Sequence, residues 1–184
     1  MNQSPPVAQL SSSSVRLRPI NEGDLSPLYF VATELSFTWI RVGRHGLVPP
    51  PAFPEVLWSD VLVQYIVESP SAGPVALVAV YDHDHRSGHA QLEVVRFDTE
   101  DAQAALVNEG VALFVEHVFS VWAFRKLYVE HVACTPGPFA FLDDLPVEEA
   151  RLTSHTLFEG HHWDRVTHAI YLDDWRARST VERG

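Results

Sequence analysis

Apolar and polar residues alternate with a strand-like period of two in several parts of the chain. Residues 15–20 alternate apolar and basic side chains, which predicts a strand with one solvated face. Residues 63–69 and 74–82 are also strand-like, and the second stretch is apolar almost throughout, as in the centre of a sheet. Residues 89–97 follow a polar turn, so they and 74–82 form a predicted hairpin.

Helical periodicity separates these strands. Asn21 is a good helix cap, and the apolar residues that follow it, Leu25, Leu28, Tyr29 and Ala32, recur at helical spacing. A longer helix is predicted over about 101–122. Its apolar stripe consists of Leu106, Gly110, Leu113, Phe114, His117, Val118 and Val121.

The remaining segments complete an α/β pattern. They are a short helix within 54–62, a strand at 125–134, an irregular stretch from 135, and two strands at 152–162 and 165–175 around a turn at Trp163–Asp164. This order predicts a mixed sheet of six to seven strands with one central crossover helix. We expect one domain over residues 14–177, with tails at 1–13 and 178–184.

The net charge limits the kinds of molecule that the protein binds, and the cysteine content indicates its compartment. The formal net charge of −11 disfavours nucleic acid, because phosphate binding needs a basic surface. No apolar run approaches the roughly 20 residues that cross a bilayer, so we expect no membrane partner. The single cysteine, Cys134, suits a reducing cytoplasm.

Three stretches together resemble the GNAT superfamily, the Gcn5-related N-acetyltransferases, and within it the branch that acetylates N-termini of ribosomal proteins. They are "VRLRPINEGDLSPLY", "NEGVALFVEHVFSVWAFRKLYVEHV" and "FEGHHWDRVTHAIYLDDW". They are similar to the opening strand and helix, the acetyl-CoA helix with the fifth strand, and the closing hairpin. The resemblance implies the GNAT fold and acyl transfer from a thioester donor to an amine.

Two departures from the family pattern concern its donor site. The family's glycine loop, which grips the pyrophosphate of coenzyme A at a helix N-terminus, should match Ala102, Ala105 and Val107, and no glycine is present there. Acidic residues precede the helix instead, and we expect Asp98 or Thr99 to cap it and to exclude a phosphate. After the fifth strand, "TPGPFAFLDDLP" replaces a family helix, so the asparagine and tyrosine found there cannot be carried over.

The chemistry implied by the resemblance suggests candidate catalytic residues. Deprotonation of the amine needs a base, and Glu93 on the predicted fourth strand matches the glutamate used by the related branch. The alternative is that Glu93 is a solvated or ion-paired strand residue, for example paired with Arg16 or Arg18. His131 and Cys134 flank the end of the fifth strand as candidate acid and nucleophile, although strand alternation places them on opposite faces.

The resemblance also suggests where a donor binds. We expect a splay between the strands at 89–97 and 125–134, with the backbone of Val94, Val95 and Arg96 facing a pantetheine arm. The donor is then acetyl-CoA, or an acyl-pantetheine group on an acyl carrier protein. A coenzyme-free relative that binds a small molecule or protein, or catalyses another reaction in the old cleft, remains the alternative.

Other polar residues have less specific roles. His83 and His85 lie at a predicted turn, and we expect no metal site there because further ligands are not evident. His161 and His162 are assigned to another turn, and His117 to the core. The acidic chain favours a cationic small-molecule amine or a basic peptide as acceptor. Candidate carboxylates for it are Glu34, Asp143 and Asp144.

Overall fold

The computed structural model describes residues 10–34, 39–46, 48–97, 103–135 and 146–181. They form one seven-stranded mixed sheet in the order β1-β2-β3-β4-β5-β7-β6. The strands are β1 Arg16–Arg18, β2 Val61–Ser69, β3 Gly73–Asp84, β4 His89–Arg96, β5 Lys126–Val132, β6 Val147–Phe158 and β7 His161–Tyr171. The helices are α1 Glu22–Glu34, α2 Ile40–Gly43, α3 Phe53–Trp58, α4 Ala104–Val121 and α5 Leu172–Val181.

The pairing confirms the predicted sheet. Strands β1 to β4 are antiparallel neighbours; short turns join β2 to β3 and β3 to β4, whereas α1, α2 and α3 lie between β1 and β2. The long helix α4 then carries the chain to β5, which runs parallel to β4. The chain returns through β6 and β7, and β7 lies between β5 and β6 with antiparallel pairing on both sides.

Helix α4 packs on one face of the sheet. Its buried residues are Val107, Gly110, Val111, Phe114, Val115, Val118 and Phe119. They join the inward side chains of β2, β3, β4 and β5 in the larger of two hydrophobic clusters. By length and composition, α4 is the one helix of the described residues that could cross a membrane. In this fold its apolar face packs on the sheet.

The opposite face of the sheet is covered by α1, α2 and α3. Trp39, Phe53 and Leu57 are fully or almost fully buried there against Ile66 of β2 and Leu77 of β3. Helix α2 was not predicted, because its four residues are too few to show a helical period. It nevertheless carries a side chain that is central to the candidate site.

The C-terminal hairpin corrects the predicted boundaries. The turn is at Glu159–Gly160, where both residues have positive φ, 50° and 77°. This is the geometry of a two-residue hairpin turn, which glycine favours at its second position. The predicted turn at Trp163–Asp164 is therefore wrong, and those residues lie within β7. The chain beyond Tyr171 forms α5, which extends through Val181 into the range assigned to a tail.

Gly110 sets the distance between α4 and the sheet. A Cβ atom at this position would lie 2.3 Å from Val67 Cγ1 and 2.7 Å from Val67 Cγ2 on β2. Real side chains do not approach so closely, so a larger residue must push helix and sheet apart. The glycine in the middle of the helix is thus explained by close packing, although glycine weakens a helix.

We predict that Gly110→Ala lowers the free energy of unfolding by about 1 kcal/mol or more, because overpacking outweighs the gain in helix propensity. Urea unfolding measures the change. Val67→Ala is the matched second variant, since it removes both clashing methyl groups. The double variant should be more stable than the sum of the two single effects predicts. Strict additivity would show that Val67 is not what excludes a side chain at Gly110.

Candidate active site

The parallel pairing of β4 with β5 is short. The strands pair at His89–Lys126, Ala90–Leu127 and Gln91–Tyr128, and at no later position among the described residues. Beyond this point β4 pairs with β3 and β5 pairs with β7. The predicted splay is confirmed. Its backbone edges face a gap instead of each other, and such edges are suited to bind an extended ligand as a further strand.

The residues predicted to contact a pantetheine arm lie along this gap. Val94, Val95 and Arg96 all follow the last β4–β5 pair, and on their other side they pair with β3. Strand β4 is therefore anchored on one edge only over this stretch. This placement is compatible with the prediction that the backbone of these three residues contacts a pantetheine arm.

Glu93 lies at the start of the splay and is buried. Its Oε2 accepts a hydrogen bond of 2.9 Å from Nε of Arg41 on α2, and the two residues are 8% and 4% exposed. The ion pair expected with Arg16 or Arg18 is not formed, since both of those arginines pair with Glu68. Glu93 on the sheet is thus held in place by α2, which covers the face of the sheet opposite to α4.

Arg41 also fixes the connection before β2. Its Nη1 donates to the carbonyl oxygen of Leu57 at 3.1 Å, and Gln64 donates to the same oxygen at 3.2 Å. Gln64 and Glu93 flank Ala79 on adjacent strands. The charged site is therefore built into a buried polar network that joins α2, α3 and the sheet.

Glu130 faces Glu93 across the splay and was missed by the sequence analysis. Gln91 pairs with Tyr128, and Glu93 and Glu130 lie two residues further along their strands on the same face of the sheet. Among the described residues, Oε2 of Glu130 is buried without a hydrogen-bond partner and lies 3.6 Å from Arg44 and 3.7 Å from Arg165. The signal for Glu130 in the sequence is the alternation in "LYVEHV", which puts it on the same face as Tyr128.

The pKa of the Tyr81 phenol is affected by the negative charges of Glu93 and Glu130. It pairs with Gln91 on the neighbouring strand and is almost fully buried. Burial raises the pKa of the Tyr81 phenol well above its usual value, and the charges of Glu93 and Glu130 raise it further. The phenol therefore stays protonated throughout the physiological range and can donate a hydrogen bond.

A second cluster of charged side chains lies where β4 and β5 still pair, before the splay begins. The Lys126 ammonium lies 4.4 Å from the ring centre of Tyr128 and 5.4 Å from that of Tyr171. It donates to both oxygens of Glu149, at 2.9 and 2.7 Å, and Tyr171 donates to the same carboxylate. Although burial opposes it, hydrogen bonding to Glu149 raises the pKa of Lys126. The Lys126 ammonium is thus held in its charged form, with Glu149 as its hydrogen-bond partner.

His131 and Cys134 are not brought together. The ring of His131 stacks on His168 of β7 at a centroid distance of 5.3 Å. Cys134 follows β5 in a turn and is half-buried. Burial lowers the pKa of His168, and the neighbouring His131 lowers it further. Over the described residues there is no hydrogen bond between Cys134 and a histidine, as expected from the strand alternation that places the two side chains on opposite faces.

The start of α4 differs from the expectation. The helix begins at Ala104, with Gln103 at the N-cap position and no side-chain cap hydrogen bond. Its first turn contains no acidic residue. The predicted caps Asp98 and Thr99 lie outside the described residues, as does Ala102. Val107, which the resemblance matches to the family's glycine loop, is buried and contributes to packing.

The other candidate residues are dispersed. The rings of His83 and His85 contact each other, and His85 stacks on Phe124. Among the described residues no group of three or more potential metal ligands occurs. His161 and His162 begin β7 rather than forming a turn.

The remaining predicted positions lie away from the splay or outside the description. His117 is half-buried between the rings of Tyr65 and Trp122, as expected for a histidine packed at the edge of the core. Glu34 is exposed at the end of α1. Asp143 and Asp144 lie outside the described residues.

Solved structures with the same architecture are acetyltransferases. A complex of the spermidine N-acetyltransferase SpeG from Vibrio cholerae with CoA and spermine has a TM-score of 0.71, at 15% sequence identity, covering 90% of this chain and 99% of its own. A probable GNAT-family acetyltransferase from Chromobacterium violaceum has a TM-score of 0.66, at 17% identity, covering 93% and 94%. No family model and no curated protein matches the sequence. The chain has the fold of the GNAT acetyltransferases.

We predict that Arg41→Met lowers the free energy of unfolding by about 3–5 kcal/mol, because it leaves the Glu93 carboxylate buried without its partner. Replacing both Arg41 and Glu93 by methionine should cost much less than the sum of the single replacements. Arg16→Met, which breaks the exposed pair with Glu68, is the control and should cost at most about 1 kcal/mol. Urea unfolding of the four variants checks this, and additive effects of Arg41 and Glu93 would contradict it.

A pH dependence follows from two half-buried histidines. Burial lowers the pKa of His117 and of His168. The unfolded chain then binds more protons than the folded one, so stability falls as the pH drops through the ordinary histidine pKa of about 6.5. We predict that replacing both residues by glutamine reduces the stability difference between pH 7.5 and pH 5.5. An unchanged difference in urea unfolding would assign it to other groups.

Proposed function

We propose that this protein is an N-acyltransferase that transfers an acyl group from a thioester donor to an amine. The observation that carries the proposal is the splay between β4 and β5, with Glu93 and Glu130 on one face at its opening. The gap offers backbone partners for an extended pantetheine arm. The carboxylates lie where an incoming amine would meet the thioester.

The donor arm would lie along Val94, Val95 and Arg96, antiparallel or parallel to β4, as a pseudo-strand. Its thioester carbonyl then points toward the start of the splay near Glu93. A backbone N–H of β4 would donate to the developing oxyanion. The structural neighbour in complex with CoA and spermine supports a coenzyme A donor. An acyl-pantetheine group on a carrier protein would fit the same slot.

The two carboxylates are suited to different tasks. Arg41 occupies Oε2 of Glu93, which holds the carboxylate in position. Oε2 of Glu130 has no hydrogen-bond partner within the described part of the chain, so its carboxylate is the more available proton acceptor. We assign Glu130 as the group that takes the amine proton, and Glu93 as the candidate that orients the amine.

The reaction then balances without a further reactant. The deprotonated amine nitrogen attacks the thioester carbonyl carbon, and a carbon–nitrogen bond forms. The carbon–sulfur bond breaks, and the thiolate takes up a proton, so the products are an amide and a free thiol. Solvent supplies this proton, since the ring of His131 stacks on His168 and Cys134 lies in the turn after β5.

The acceptor class follows from the overall charge of the chain. The net charge of −11 attracts cations to the whole molecule. At the splay itself, the two glutamates are balanced by Arg41, Arg44 and Arg165, so the attraction comes from the chain as a whole. We propose a small-molecule amine as the acceptor, with a basic peptide as the larger alternative, and the cytoplasm as the compartment.

Titration calorimetry with coenzyme A and acetyl-CoA, followed by a free-thiol assay with a panel of amines, tests the proposal. We predict binding of acetyl-CoA and amine-dependent release of thiol. Glu130→Gln should lower kcat by about 10²–10⁴-fold, the usual contribution of a general base, while acetyl-CoA binding is unchanged. Glu22→Gln, exposed in the first turn of α1, is the matched control and should leave the rate unaltered.

The alternative is a coenzyme-free relative of the same fold, which the altered loop before α4 favours. It predicts no heat of binding with coenzyme A or acetyl-CoA and no thiol release with any amine. If acetyl-CoA binds but Glu130→Gln leaves the rate of thiol release unchanged, the proposed donor site stands. The proposed role of Glu130 as the base is then overturned.

A further inference from the structure

Polar atoms of four side chains around the splay are buried without a hydrogen-bond partner. Over the described ranges of the chain, two of these atoms are acceptors, Oε2 of Glu130 and Oε1 of Gln91. The other two are donors, Nε of Arg165 and Nη2 of Arg41. A buried polar group without a partner destabilises a fold, and such groups in one place indicate that something else binds them.

The four side chains meet at the opening of the splay. Gln91 is the last residue of β4 that pairs with β5, and Glu130 lies just beyond the end of that pairing on β5. Nε of Arg165 is 3.7 Å from Oε2 of Glu130. Arg41 binds Glu93, which lies two residues after Gln91 on the same face of β4. Unpaired donors and unpaired acceptors are therefore side by side.

The arginines beside Glu130 are too far away to satisfy it. Nη2 of Arg44 is 3.6 Å and Nε of Arg165 is 3.7 Å from the same carboxylate oxygen. A hydrogen bond between N–H and oxygen needs about 2.7–3.2 Å, so both guanidiniums can still donate to another anion. The Arg44 side chain is 46% exposed. Its rotation opens a way from the surface to the buried oxygen, since exposed side chains change rotamer rapidly.

Positive charge is in excess at this site. The guanidiniums of Arg41, Arg44 and Arg165 pair with two carboxylates, those of Glu93 and Glu130. When Glu130 takes the amine proton, as proposed above, it becomes neutral and the excess of positive charge grows. An anion carried by the substrate offsets this charge in the step that creates it. A polycationic amine would increase the charge further.

We infer that the acceptor of the proposed acyl transfer is a free α-amino acid. Its ammonium donates to Oε2 of Glu130 and Oε1 of Gln91, and its carboxylate accepts from Arg44 and Arg165. Because these protein groups are neighbours, the amine and the carboxylate of the ligand must be neighbours too, as they are across a single α-carbon. The product is an N-acyl amino acid. The inference rests on the proposed acyl transfer and names its substrate class.

Thiol release from acetyl-CoA with matched acceptors tests the inference. Each standard L-amino acid is compared with its primary carboxamide, which keeps the amine and the side chain but lacks the carboxylate. Spermidine is the acceptor without any anionic group. We expect kcat/KM for the preferred amino acid to exceed that for its carboxamide at least about a hundredfold, because the carboxamide leaves the arginine donors unpaired.

Two arginine variants show whether the carboxylate binds where we place it. Arg44→Met and Arg165→Met should each reduce the ratio of acid to carboxamide activity by about tenfold or more, mainly by raising KM for the amino acid. Activity toward the carboxamide should change little. Arg16→Met, on the outer strand β1, is the matched control and should leave the ratio unchanged. Circular dichroism confirms that each variant is folded.

The outcomes separate this inference from the proposed function. Thiol release that is as fast with carboxamides or spermidine as with free amino acids would overturn the inference and leave the acyl transfer standing. Equal effects of Arg44→Met and Arg165→Met on acid and carboxamide would overturn it too, since the arginines would then not bind a carboxylate. No thiol release with any amine would overturn the acyl transfer, and this inference with it.

Discussion

Parallel pairing between β4 and β5 ends after Gln91 and Tyr128, and the candidate site depends on that early end. Backbone N–H and C=O groups in a protein interior require partners. Strands that pair over three positions and then separate leave such groups along both edges of a gap. A ligand with an extended, amide-containing chain can supply the missing partners, which is why the splay favours a pantetheine donor.

The charged side chains around the splay are held by residues of the helical layer and of the sheet. Arg41 reaches Glu93 from α2, while Arg165 of β7 and Arg44 lie beside Glu130. A buried carboxylate is costly without a partner, so the short helix α2 and the hairpin strand β7 must be in place before the site is stable. The same hairpin supplies Tyr171 and Glu149, which hold Lys126 at the closed end of the splay.

Much of the fold could be predicted from the sequence, because β1 to β4 and α4 have clear periods of two and of 3.6 residues. The splay and Glu93 followed from a family resemblance rather than from periodicity. Arg41 could not be predicted, since a helix of four residues has no detectable period and its partner is 52 residues away. Glu130 was visible in the alternation of β5, but its importance appears only when the sheet places it opposite Glu93. The hairpin turn was misplaced because Asp164 is a common turn residue, whereas the backbone turns at Glu159–Gly160, where both residues have positive φ.

Hydrogen–deuterium exchange in the presence of acetyl-CoA tests the central claim most directly. If the splay is the donor site, amides of β4 beyond Gln91, including Val94 and Val95, should exchange more slowly when the donor is bound. Amides at the paired end, such as Ala90, should change little. Protection confined to other parts of the chain, or none at saturating acetyl-CoA, would contradict the account.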